Sequence, residues 1–307
     1  MRQRYNSKGL RMRRIALGLL MFTLAMPAAA VPAAAKMMHI VASFTIIADM
    51  IRQVGGDHVD VVSLVHWNGD PHAYEPSPDD AKRLRDADIV FVNGMGLEGW
   101  MDRLISASGY KGKPVFTANG MSVLKMEENG QSIVDPHAWN SAANGIIYVR
   151  NIIEALSAAD PEDAQDFKTS GEKYIKDLEA LDAYAHQEID AIPLAKRKVI
   201  TTHDAFGYFS RDYGVMFLSP VGLSTETEAS AATVAKLIKQ IKAEHVHAYF
   251  FENSNDPRLV QQIAKATGAV PGGELYVEAL SPPDGPANTY AQMFRYNVDQ
   301  LVRAMKN

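Results

Sequence analysis

The chain contains no cysteine. That excludes a disulfide framework and removes the thiol through which a bacterial lipoprotein is anchored. Acidic residues are missing from the first 35 positions, where Arg2, Arg4, Lys8, Arg11, Arg13 and Arg14 supply all the charge. This basic stretch leads into "IALGLLMFTLAM" (15–26), which is shorter than the roughly 20 residues needed to span a bilayer, and then into "PAAAVPAAA". The pattern reads as a signal peptide over 1–35, cleaved after Ala30 or Ala35. There is no G-x-x-x-x-G-K-[ST] loop to cradle a nucleotide phosphate and no H-E-x-x-H to build a metalloprotease helix. Without residues 1–35 the chain keeps 25 basic against 36 acidic residues, a formal charge of −11. Such a balance is unsuited to nucleic acid or anionic membrane and suited to cations. An exported chain with no anchor is expected to be soluble, and periplasmic in a Gram-negative cell.

What is present is an alternation of short apolar runs with helical patterns. Strands are expected in "HIVASFT" (39–45), "VDVVSLV" (59–65), "DIVFVN" (88–93), "PVFT" (114–117), "KVITT" (198–202), "GVMFLS" (214–219) and "HAYFFE" (247–252). Ser77-Pro78-Asp79-Asp80 offers an N-cap, a proline at the first helical position and a capping-box acid. Thr225 with Glu228 offers a second box, and Asp256-Pro257 and Gly268 bracket another helix. Between Pro161 and Pro193 one apolar stripe, Phe167, Tyr174, Leu178, Leu181, Ala185 and Ile189, predicts a single long helix. The fold class is therefore α/β: two lobes, each a parallel sheet flanked by helices, joined by one long helix. The boundaries expected are a signal peptide at 1–35, a first lobe at 36–160, the connecting helix at 161–193 and a second lobe at 194–307.

Asp-Pro-His-Ala occurs twice, in "GDPHAYEP" (69–76) and "VDPHAWN" (134–140). His72 and His137 therefore sit in similar loops 65 residues apart, and His203, 66 residues further on in "TTHDAFGYF", directly follows a strand. No helix or hairpin joins such distant positions; only a tertiary site does, and in open α/β sheets ligands bind beyond the carboxyl ends of strands. Neutral imidazole is the commonest ligand for first-row cations. Three imidazoles and one carboxylate make a four-coordinate N3O shell that favours zinc and admits manganese. Taken one at a time, loop histidines more often carry no function. Of the others, His66 is a candidate accessory ligand, His245 and His247 read as structural or solvated, and His39, His58 and His186 stand without companions. Glu75 and Asp135 are candidates to orient imidazoles, or equally to cap helices.

The stretches "DPHAYEPSPDDAKRLRDADIVFVNGMGLEGW", "DPHAWNSAANGIIYVRNIIEAL" and "THDAFGYFSRDYG" resemble the zinc/manganese solute-binding proteins of ABC-type importers, in matching order over about 38–307. The resemblance implies two lobes joined by a long helix, with the metal in the cleft between them and His72, His137 and His203 as ligands. Manganese-preferring members often carry Glu at the third position, so His203 points toward zinc. The family's fourth ligand is usually an Asp in a pattern that here reads "LYVEALSPPDGPANTY", which implies Glu278, one methylene longer. Asp284 and a water are alternatives, and Glu252 is a weaker one. The histidine-rich loop of many zinc-specific members is absent from 118–134.

The function so implied is periplasmic capture of Zn2+ (or Mn2+) as transported ligand by a monomeric receptor that is not membrane-embedded after signal cleavage and has no enzymatic activity. Its partner is an ABC permease with its own ATPase. The rival readings are a zinc-dependent hydrolase, with Glu278 as base beside the three histidines, and an adhesin-type surface protein.

Overall fold

The computed structural model describes residue 1 and residues 37–128, 131–226 and 229–306. The signal peptide read at 1–35 lies, apart from its first residue, outside the described residues, and so does Glu228. The first sheet comprises β1 (Met38–Ala42), β2 (Val59–Ser63), β3 (Ile89–Val92) and β4 (Val115–Phe116), all parallel, in the order β2-β1-β3-β4. A small antiparallel hairpin, β5 (Lys125–Glu128) and β6 (Gln131–Val134), precedes the second Asp-Pro-His. The second sheet comprises β7 (Lys198–Ile200), β8 (Met216–Leu218), β9 (Ala248–Glu252) and β10 (Val270–Leu275), parallel, in the order β10-β9-β7-β8. In each sheet the strand order reverses once, between β1 and β3 and between β7 and β9, and these switch points are where such sheets open a crevice.

Nine helices are present among the described residues: α1 (Thr45–Gly55), α2 (Pro78–Asp86), α3 (Met101–Ser108), α4 (Ala142–Ala159), α5 (Ala164–Asp190), α6 (Gly207–Tyr213), α7 (Ala231–Ala243), α8 (Arg258–Thr267) and α9 (Tyr290–Lys306). The capping box that starts α2 is complete, with Ser77 Oγ accepting from Asp80 N and Asp80 Oδ2 accepting from Ser77 N. The second box does not start α7. Ser230 caps that helix by accepting from Thr233 N at 3.1 Å, and Thr225 is instead engaged with Asp70. Asp256-Pro257 and Gly268 bound α8 as expected, with Gly268 at φ +80°.

The long helix α5 is unbroken over 27 residues, roughly 40 Å at 1.5 Å per residue. Gly171 does not interrupt it. A Cβ there would lie 2.3 Å from Ile153 Cδ1 on α4, so the glycine serves the close approach of the two helices. The expected start at 161 moves to Ala164, because Asp160 Oδ1 accepts from the backbone N–H groups of Glu162 (3.1 Å) and Asp163 (3.4 Å) and holds these residues in a turn. One apolar core runs through both sheets, from Ile40, Val90 and Phe91 to Val199, Phe250 and Leu275, and a smaller cluster of Ile200, Leu237, Ile241, Val260 and Ile263 lies beneath α7 and α8. Among the described residues no helix is long and apolar enough to cross a membrane.

Candidate metal centre

The two Asp-Pro-His loops are built alike. Each aspartate folds back on its own loop, so that Asp70 Oδ1 accepts from His72 N at 2.8 Å and Asp135 Oδ1 from His137 N at 2.9 Å. These turns are the ones for which Asp is suited. Each proline carbonyl is then held by a side-chain N–H, Pro71 O by Trp100 Nε1 (2.8 Å) and Pro136 O by Asn93 Nδ2 (2.9 Å). Asn93 directly follows β3, so the edge of the first sheet fixes the second loop. His203 lies three residues beyond the end of β7, in a loop held by an isolated parallel bridge to Val221.

The three rings and Glu278 meet at one point. His72 Nε2 lies 3.0 Å from His137 Nε2, and Glu278 Oε1 lies 2.8, 3.4 and 3.3 Å from the Nε2 atoms of His72, His137 and His203. His72 is 8% exposed; His137, His203 and Glu278 are fully enclosed. Despite this crowding, neither His203 Nε2 nor Glu278 Oε1 makes a hydrogen bond. The 2.8 Å approach of Glu278 to His72 is off the line an N–H would take, so proximity there is not partnership. Buried polar atoms without partners are costly unless something else satisfies them. Four donors at 2.0–2.1 Å from one tetrahedral ion stand roughly 3.3 Å apart, close to the spacing found. The donor set therefore fits a small divalent cation.

The other ring nitrogen of two histidines faces a carboxylate. His137 Nδ1 donates to Asp135 Oδ1 at 2.8 Å, and His203 Nδ1 donates to Glu252 Oε2. Both bonds place the proton on Nδ1 and leave Nε2 bare toward the cluster. Glu252, at the end of β9, also accepts from the backbone of Thr202 (2.9 Å) and His203 (3.2 Å) and from Asn255 Nδ2 (2.7 Å). Burial opposes charge on His137, but Asp135 and Glu278 outweigh it and raise its pKa. Burial likewise opposes charge on His203, whose pKa Glu252 and Glu278 carry well above the usual value. Burial would raise Glu278, yet the charges of His203 and His72 hold it well below the usual carboxylate range.

Glu278 sits on the seam between the halves. Its neighbours Val277 O and Leu280 N bond Trp139 Nε1 (2.7 Å) and Thr45 Oγ1 (2.9 Å) of the first half. Of the alternatives read from sequence, Asp284 is exposed on a turn, and Glu252 stands behind His203 and not among the four donors. His66, His245 and His247 are exposed, as is Glu75, whereas Asp135 does orient an imidazole. His58 is not without companions, for it lies between Asp163 and Asp166. Its two carboxylates face opposite ring nitrogens, Asp163 at Nδ1 (2.7 Å) and Asp166 at Nε2 (3.4 Å), and do not converge on one nitrogen. Trp100, Asn93, Asn253 and Asn255 were not legible as site residues, since none is a metal-ligand type and each acts only through contacts formed by the fold.

A family model described as zinc-uptake complex component A, periplasmic, matches residues 40–304. The iron ABC transporter substrate-binding lipoprotein MtsA of Streptococcus pyogenes is 33% identical over 277 residues, 87% of this chain and 89% of that protein. The manganese ABC transporter substrate-binding lipoprotein PsaA of Streptococcus mitis is 30% identical over 280 residues, 89% and 91% of the two chains. Among solved structures, the periplasmic zinc binding protein TroA of Treponema pallidum superposes with a TM-score of 0.83 at 29% identity, over 88% of this chain and 99% of that one.

Proposed function

This chain belongs to the periplasmic zinc-uptake complex component A family, and from that premise we propose that it captures a divalent transition metal outside the cytoplasm and hands it to an ABC importer. Zinc is the favoured cargo, held by His72, His137, His203 and Glu278. The observation that carries this reading is the pair of buried, unpartnered atoms, His203 Nε2 and Glu278 Oε1, at the meeting point of four donors. Relatives are named for iron, manganese and zinc, so the choice of metal rests on the donors themselves. Three imidazole nitrogens and one carboxylate oxygen suit zinc, and nitrogen-rich sites bind zinc more tightly than manganese in the general affinity order.

In this reading the ion satisfies the bare donors and completes the seam between the halves. The lobes expected over 36–160 and 194–307 flank the site, and the permease with its ATPase supplies the energy for which this chain has no phosphate loop. The absence of cysteine favours a protein free in the periplasm over one tethered by lipid. The family consists of transport components, and the hydrolase reading has no observation in its favour. The test is metal analysis of protein purified without added metal, followed by competition between zinc and manganese in the native protein and in H137A. Zinc at one equivalent, displaced by manganese only at large excess and lost in H137A, is the expected result. Binding untouched by H137A removes His137 from the shell.

A further inference from the structure

From the last residue of β9 the chain reads Glu252-Asn253-Ser254-Asn255, and these side chains support, directly or through one another, the two ligands proposed from the second half. Glu252 holds His203, and Asn255 holds Glu252. Asn253 brackets Glu278 through the backbone, with Oδ1 accepting from Val277 N at 3.3 Å and Nδ2 donating to Ala279 O at 3.1 Å. Ser254 Oγ donates to Glu278 Oε2 at 3.2 Å, while Oε1 of the same carboxylate faces the three imidazoles. The two oxygens of Glu278 thus differ: Oε2 is held by a hydroxyl, and Oε1 faces the imidazoles without a hydrogen bond.

Resting on the ligand set proposed above, we infer that Ser254 is a specificity-determining positioning residue, whose hydroxyl keeps Glu278 monodentate so that the cargo ion meets three nitrogens and a single oxygen. Zinc is at ease with four donors in a tetrahedron. Manganese suits oxygen-rich shells of higher coordination number. A carboxylate free to turn offers both oxygens to the ion, which raises the coordination number to five and adds oxygen character. Glutamate, with one more rotatable bond than aspartate, has the freedom to make that turn. Ser254 withholds the second oxygen, so selectivity is exerted by a residue that does not touch the metal.

The experiment uses cobalt(II) as a spectroscopic stand-in for zinc, because four-coordinate cobalt shows intense visible d–d bands that weaken as the coordination number rises. Native protein is expected to show the intense bands. S254A is expected to lose intensity and to show a fall of roughly tenfold in the ratio of zinc to manganese affinity, the scale of one hydrogen bond to a charged group. S254T, which keeps the hydroxyl, is expected to restore both. Ser254 is half-buried in a turn, so its truncation opens no core cavity. Native bands and a native affinity ratio in S254A overturn the inference. If the native protein binds no cobalt, or if H137A keeps the native bands, the ligand set itself falls and the role of Ser254 falls with it.

Discussion

The imidazole of His137 donates from Nδ1 to Asp135 and presents its Nε2 lone pair to the cluster. Removing that carboxylate leaves the ring free to turn or to take the other tautomer. D135A is expected to weaken zinc binding by roughly 10- to 100-fold, the usual cost of losing such a partner, as read by competition with a chelator of known affinity. Gly207 belongs to the same device, since a Cβ there would lie 2.3 Å from Asp135 Oδ2. Protons compete with metal at this site. Burial disfavours charge on His137 and His203, but the surrounding carboxylates raise both above the ordinary 6.5. An incoming ion must displace those protons, so zinc affinity is expected to decline while the pH is still above that value and to continue falling below it. Flat affinity between about pH 8 and about pH 5 contradicts the assigned donors. In the metal-free protein the sign reverses. The raised imidazoles contribute stability that is complete below their unfolded pKa and is lost as pH rises through the folded values. Melting temperatures of metal-free protein should therefore fall over that window, while the increment added by zinc grows.

Among the elements, α2 carries the clearest local signal and α5 the clearest tertiary one. Ser77 and Asp80 satisfy each other's backbone N–H groups at the start of α2, and S77A is expected to cost about 1 kcal/mol in chemical denaturation of the metal-free protein. An unchanged midpoint would show that the cap is idle. The apolar stripe of α5 was legible because its residues recur at helical spacing, and Phe167, Leu178, Ala185 and Ile189 are indeed buried. The hairpin of β5 and β6 and the edge strand β10 were not legible. "VPGGEL" contains a proline and two glycines, which argue against a strand; the edge of the sheet tolerates them, and the register shifts between Pro271 and Gly273. The box at Thr225 misled for a different reason: Thr225 Oγ1 donates to Asp70 Oδ2 at 2.5 Å, a partner 155 residues away.

For the whole molecule, the shared core and the bonds across the seam set the scale of any motion. Tyr290 ties α9 to the first half through Asp49 Oδ2 (2.8 Å) and Trp139 O (2.7 Å). A wide clamp would have to break such buried bonds and open apolar surface. Small-angle scattering is therefore expected to show nearly the same radius of gyration with and without zinc; a large contraction on loading would refute a preformed seam. Zinc at a thousand times its Kd should nevertheless add about 4 kcal/mol to stability, or roughly 8–16 °C in melting temperature for a chain of this size.

The sequence by itself determined the alternation of strand and helix, the long helix and the three loop histidines, because periodicity, capping and a repeated tripeptide are written in neighbouring residues. Resemblance to a family added Glu278. Only the tertiary structure decided which carboxylate joins the histidines, which ones stand behind them and how Glu278 divides its two oxygens. Those choices depend on atoms brought within about 3 Å by sheet order and by side chains such as Trp100, Asn93 and Ser254, and no local pattern records a distance between residues far apart in the chain.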